Sequence, residues 1–199
     1  MAHDNAKVFI DGRMELIDDG FFRNYYTSVT QENGVKNLLD TFQPDIVIFL
    51  HGNAVAWWFY FLSHKNTSGY KLVYFDGLSV IYLKSSGFPQ IPELTEHSVL
   101  KDLDVNAIKR LDSLIRSPGK PDGAEVWLQS IWKKQVLPQE DIRKAMFCFT
   151  NGFDTAALVY SVKSIEESTV NTPDLYKFLS VYYRQKKMYS EAQLCDGKE

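Results

Sequence analysis

Hydrophobic positions in this chain follow two rhythms. In the first half they come as short solid runs, Lys7 to Ile10 closing on Asp11-Gly12 and Asp45 to Leu50 (DIVIFL) closing on His51-Gly52-Asn53. Short apolar runs bounded by turn residues predict strands, and a run apolar on both faces suits the buried middle of a parallel sheet. Phe21 to Val29 and Val35 to Phe42 predict crossover helices, and Ala54 to His64 predicts a strongly aromatic helix with Asn53 placed as its N-cap. Tyr70 to Lys84 (YKLVYFDGLSVIYLK) holds two β-rich runs about Asp76-Gly77, a pair suited to the positive φ angles of a two-residue type I′ turn. The order β-α-β-α-β with a final antiparallel strand predicts an α/β domain. Its architecture would be a three-layer sandwich around a mixed four-stranded sheet that ends in a hairpin, with right-handed crossovers.

The texture changes at Ser85 to Pro92 (SSGFPQIP), where prolines and a glycine stop both strand and helix. Beyond it the period is helical. Asp104 caps a predicted helix that carries Val105, Ile108, Leu111, Leu114 and Ile115 on one face and stops before Ser117-Pro118-Gly119. A second predicted helix, Ala124 to Gln135, carries Trp127 and Trp132 and ends near Leu137-Pro138. The domain reading is therefore an α/β domain over residues 1–86, a linker over 87–103, an all-α domain over 104–195 and a disordered tail over 196–199.

From Gln139 onward the chain resembles itself. A displacement of 35 residues superposes Ala145 on Ser180, Cys148 on Tyr183, Phe153 on Met188 and Ala157 on Ala192. In the later copy, Pro173 opens a predicted helix on which Tyr176, Leu179, Ser180 and Tyr183 lie together, and Tyr189 and Ala192 begin its partner. This succession of a large apolar residue, Leu, a small residue and an aromatic, followed after a turn by an aromatic and then Ala, resembles the tetratricopeptide repeat. The earlier copy, Asp141 to Thr169, is degenerate: Ala145, Gly152, Ala157 and Ser164 fit, but Asp141 and Lys144 stand where large apolar residues are expected. Small residues are needed wherever two helices of any hairpin touch, so a chance match is the competing explanation. Repeat units bury their faces only against neighbours, and the helices between Asp104 and Gln135 would supply one.

Composition narrows the function. The 199 residues are 45% hydrophobic and 24% charged, as in a folded globular protein. The net charge is −3, with no basic excess before or after Ser98, which argues against nucleic acid as a partner. Cys148 and Cys195 have no CxxC or His ligand spacing, so neither a disulfide framework nor a zinc site is expected. The N-terminus lacks a signal-peptide pattern, and the apolar stretch Ile46 to Leu62 is interrupted by His51, Gly52 and Asn53 and is too short to span a bilayer.

Candidate chemistry is sparse. In an open parallel sheet, ligands sit beyond the carboxyl ends of strands, which is where Asp11, Arg13, His51 and Asn53 fall. Asp11 or His51 would move a proton there, Arg13 would hold a phosphate or carboxylate, and Asn53 would donate. The same residues are equally ordinary turn and cap chemistry. No GxGxxG, GxxxxGK[ST], GxSxG or HExxH occurs, so no cofactor is expected and the reading leans away from an enzyme. Asp18-Asp19 suits a helix start better than a metal. The favoured class is a protein or peptide binder whose partner meets the first helices of the repeats, at Tyr176, Lys177, Val181 and Arg184. A phosphate or sugar site at the sheet edge is the alternative.

The succession VFIDGRMEL, then a strand and an aromatic helix, then YKLVYFDGLSVIYLKSS, over residues 7–86, resembles the soluble tails of bacterial membrane glycosyltransferase-like proteins. In such tails a strand ending in Asp-Gly-Arg opens the domain, a hairpin closes it, and tetratricopeptide repeats sometimes follow. Ile17 or its neighbours replace a tyrosine often found after the Arg, and the membrane helices and acidic catalytic loops of those enzymes are absent from the chain. The resemblance thus implies an accessory part rather than glycosyl transfer. A tail of this kind would lie on the extracytoplasmic face of a bacterial membrane, whereas a complete chain would be cytoplasmic.

Overall fold

The computed structural model describes residues 19–31, 33–50, 55–117 and 136–198. Apart from the turn residues Asp76–Leu78, the chain divides into two compact units between Glu93 and Leu94, inside the stretch read as a linker. The predicted strand Lys7 to Ile10 and the predicted helix Ala124 to Gln135 lie outside the described residues.

The first unit mixes helix and sheet. Helices α1 (Asp19–Thr30) and α2 (Gly34–Phe42) precede strand β1 (Ile46–Leu50), helix α3 (Val55–Ser63) and the hairpin of β2 (Tyr70–Phe75) and β3 (Ser79–Lys84). The described strands form one sheet of order β1-β3-β2, and both of its pairings are antiparallel. This corrects the setting expected for β1. Val47 and Phe49 are buried, whereas Ile46, Ile48 and Leu50 are 49, 65 and 53% exposed, so the strand has one covered face rather than two. A solid apolar run does not reveal this, because alternation shows in sequence only when the outward residues are polar.

The covered face is aromatic. Phe61 of α3 is 1% exposed and stacks on Tyr82 at 3.9 Å between centroids, with Phe49 stacked on both and Tyr70 edge-on to Phe61. Of the run Trp57 to Phe61, Trp57 and Phe61 are buried and Phe59 is exposed, as consecutive helical positions require. The Tyr70 hydroxyl donates to the Pro44 carbonyl at 2.6 Å, and burial pushes its phenol up to about 12.

The hairpin exists, but its turn is not the expected one. Phe75 pairs with Val80, so four residues rather than two lie between the last paired positions of the hairpin. Gly77 is not among the positive-φ glycines, and the Asp76 carboxylate instead accepts from the Leu78 amide at 2.7 Å. Aspartate in the first turn position offers this local bond as an alternative to a type I′ turn.

The second unit is all-helical among the described residues. It comprises α4 (Glu96–Leu100), a 3₁₀ segment (Val105–Arg110) running into α5 (Leu111–Arg116), α6 (Gln139–Thr150), α7 (Asp154–Glu167), α8 (Pro173–Gln185) and α9 (Tyr189–Asp196). Asp104 caps the 3₁₀ segment as expected, accepting from Asn106 at 3.1 Å. The tighter winding rotates the apolar face, so Ala107, Leu111 and Ile115 are buried while Val105 is exposed. The segment read as linker thus contains α4, whose Glu96 carboxylate accepts from Thr155 and Ala156 in the first turn of α7 at 2.6 and 3.3 Å. Of the residues read as a tail, Asp196 ends α9, and the Lys198 ammonium donates to the carbonyls of Leu114 and Ser117 at the end of α5.

Candidate functional site

Two helical hairpins, α6–α7 and α8–α9, make the most regular feature of the second unit, and they agree bond for bond at the 35-residue displacement. In the first, Gly152 donates to Phe149 at 2.9 Å and Phe153 to Cys148 at 2.7 Å; in the second, Lys187 donates to Arg184 at 3.0 Å and Met188 to Tyr183 at 2.9 Å. These two bonds, with a left-handed residue between helix and loop, are the Schellman stop. Gly152 has φ 78° and Lys187 has φ 61°, so both hairpins turn through the same backbone geometry although only one has glycine to do so. Each is joined by three residues, 151–153 and 186–188.

Side-chain contacts repeat as well. Asp141 reaches Lys163 at 3.0 Å, and Tyr176 at the equivalent position lies beneath Lys198, 5.2 Å from its ring centroid. Lys144 lies over Tyr160 at 5.8 Å and pairs with Glu140. The two polar residues that made the earlier copy look degenerate are therefore absorbed within their own hairpin: Asp141 is only 6% exposed, and its carboxylate meets an ammonium at the position where the later copy sets a ring against one. At equivalent positions, Ala145 and Ser180 are fully buried. The Ser180 hydroxyl donates to Asp196, which also takes Arg184 at 2.6 Å.

The first helices of the two hairpins meet through aromatics, with Phe149 of α6 edge-on to Phe178 and Tyr182 of α8 at 4.8 and 5.6 Å. Burial holds the thiol of Cys148 up to about 12 and that of Cys195 up to about 11, so neither is a nucleophile at neutral pH.

Of the residues read from sequence as partner contacts, Lys177, Val181 and Arg184 form one exposed stripe of α8, spaced four and three apart. Tyr176 does not join them. It is 4% exposed, and its phenol is raised by burial, so it is a core residue of the hairpin. Arg184 is exposed but tied to Asp196. Two neighbours of this stripe did not enter the sequence reading: Met146, 36% exposed at the repeat position of Val181, and Arg143, half-buried one turn before it. The signal was available, because displacing Val181 by 35 gives Met146, but the weak match of the earlier copy hid it.

Asp11, Arg13, His51 and Asn53, the alternative site, lie outside the described residues. Among the described residues no group of three His, Cys, Asp or Glu converges as a metal site requires, and no helix is long and apolar enough to cross a membrane. No protein-family model matches the chain, and neither does any curated protein or solved structure.

Proposed function

We propose that the helical unit is a tetratricopeptide-like module that holds a protein or peptide partner on the common exposed face of α6 and α8. The observation that carries this reading is the agreement of the two hairpins in turn hydrogen bonds, left-handed stop and inter-helix contacts at one fixed displacement. Stacked repeats set equivalent helices side by side, so residues at equivalent positions build one extended surface. Met146 and Val181 hold such equivalent positions and stay exposed, while Phe149, Phe178 and Tyr182 pack beneath.

The finer reading of the first unit, a mixed four-stranded sheet with Lys7 to Ile10 as its fourth strand, belongs to the same proposal. So does the role implied by residues 7–86, an accessory part of a membrane glycosyltransferase-like protein; the β2–β3 hairpin supports it.

The test places a photo-reactive amino acid at Val181 and, as a control, at Glu166 on α7. The reading requires a discrete adduct from position 181 that disappears when Met146→Asp is added. Equal labelling from positions 166 and 181 would refute it.

A further inference from the structure

We infer that the partner segment held on α6 and α8 is acidic, with carboxylates set beside an apolar side chain; this rests on the binding reading above and names the chemistry it would select. Most charges on these two helices are already paired. On α6, Glu140 pairs with Lys144 and Asp141 with Lys163, so both carboxylates are spent within the hairpin. On α8, Arg184 is spent on Asp196. Among the described residues, Arg143 and Lys177 have no charged or hydrogen-bonded partner. The one carboxylate left on these helices, Asp174, sits in the first turn of α8, where the helix dipole already favours it.

The positions of these free cations matter as much as their number. Arg143 lies three residues before Met146, and Lys177 four residues before Val181, so each helix presents a cation and, one turn on, an exposed apolar residue. With the helices joined through Phe149, Phe178 and Tyr182, each brings one unpaired cation beside its exposed apolar residue, Lys177 exposed and Arg143 half-buried. An acidic segment meets both cations with its carboxylates, whereas a basic one meets two uncompensated cations. Charge complementarity of this exposed kind sets partner choice and encounter rate more than the strength of the apolar contact.

The experiment pans a random dodecapeptide phage library over the full chain and measures the selected peptides by fluorescence anisotropy. The expected result is enrichment in Asp and Glu beside Leu, Ile or Phe. Binding should weaken about tenfold in the Arg143→Glu/Lys177→Glu chain and between about 50 and 300 mM NaCl. Neither side chain makes an ion pair or hydrogen bond among the described residues, so far-UV circular dichroism of the variant should match the parent. Selection of neutral or basic peptides that still lose binding on Val181→Asp would overturn the acidic partner and leave the binding face intact. Peptides indifferent to Val181→Asp, or no enrichment at all, would overturn both.

Discussion

Lys187 occupies a backbone position that glycine fills in the other hairpin, and exchanging the two residues tests the equivalence of the hairpins directly. At φ 61° a residue with a β-carbon is disfavoured by about 1–2 kcal/mol. Replacing it by glycine removes that strain but admits a more flexible unfolded chain, which offsets about 0.4–1 kcal/mol. No ion pair or hydrogen bond of the Lys187 ammonium is lost, because it makes none among the described residues. Lys187→Gly should therefore stabilise the helical unit by about 0.5–1 kcal/mol. The mirror change is equally clean: a β-carbon on Gly152 at φ 78° would meet nothing within 4 Å, so Gly152→Ala should destabilise by a similar amount through backbone strain alone. For a chain of this size about 1 kcal/mol moves a melting temperature by roughly 2–4 °C. Thermal and urea unfolding followed at 222 nm would read both changes, and the double variant should return close to the parent. A stabilising Gly152→Ala, or a Lys187→Gly that lowers the midpoint, would mean that the two turns are not the same physical device.

Other consequences are simpler to state. With both thiols buried and raised, Cys148 and Cys195 should resist iodoacetamide at about pH 8 and react only through opening, so labelling rates should rise with urea in step with unfolding; fast labelling of the native chain would contradict the burial. The Glu166 carboxyl is held below its ordinary value by the hydrogen bond from Arg110, a bidentate pair at 2.7 and 3.0 Å. A depressed carboxylate contributes stability above its unfolded pKa and loses it as pH falls through the folded one, so Arg110→Met should be destabilising at neutral pH and should converge with the parent once pH falls below the lowered pKa of Glu166. The pair is largely exposed, so solvent screening keeps the effect small.

The helical half was more legible in sequence than the sheet, for a physical reason. Helix pairs need small residues at close crossings and glycine at a left-handed stop, and Ala145, Ala157 and Gly152 announce both. The same rules fail where one residue type serves two ends. Asp76-Gly77 reads as a type I′ turn, yet the aspartate can cap its own backbone and lengthen the loop. Tyr176 reads as an exposed aromatic because nothing local foretells that Lys198, 22 residues on, covers its ring. Asp141 reads as a defect in the repeat until Lys163 is brought to it. Contacts distant in sequence decided the last two cases.

The same distinction bears on β1, and mutation can separate the two settings that its sequence allows. A strand in the middle of a parallel sheet would bury all of Ile46 to Leu50, and a charge at any of them would leave an unpaired ion in an apolar core. The antiparallel pairing with β3 instead leaves Ile48 65% exposed, whereas Phe49 is 7% exposed and lies against the stacked pair of Phe61 and Tyr82. Ile48→Lys should then change stability by no more than about 0.5 kcal/mol, because its side chain already faces water. Phe49→Ala should cost about 3–5 kcal/mol, because it opens a cavity beside the Phe61–Tyr82 stack that joins sheet to α3. Near-ultraviolet circular dichroism reports that stack and should be preserved in the first variant and lost in the second. Should Ile48→Lys abolish the near-ultraviolet signal as Phe49→Ala does, the outer face of β1 is covered in solution and the one-sided sheet is wrong.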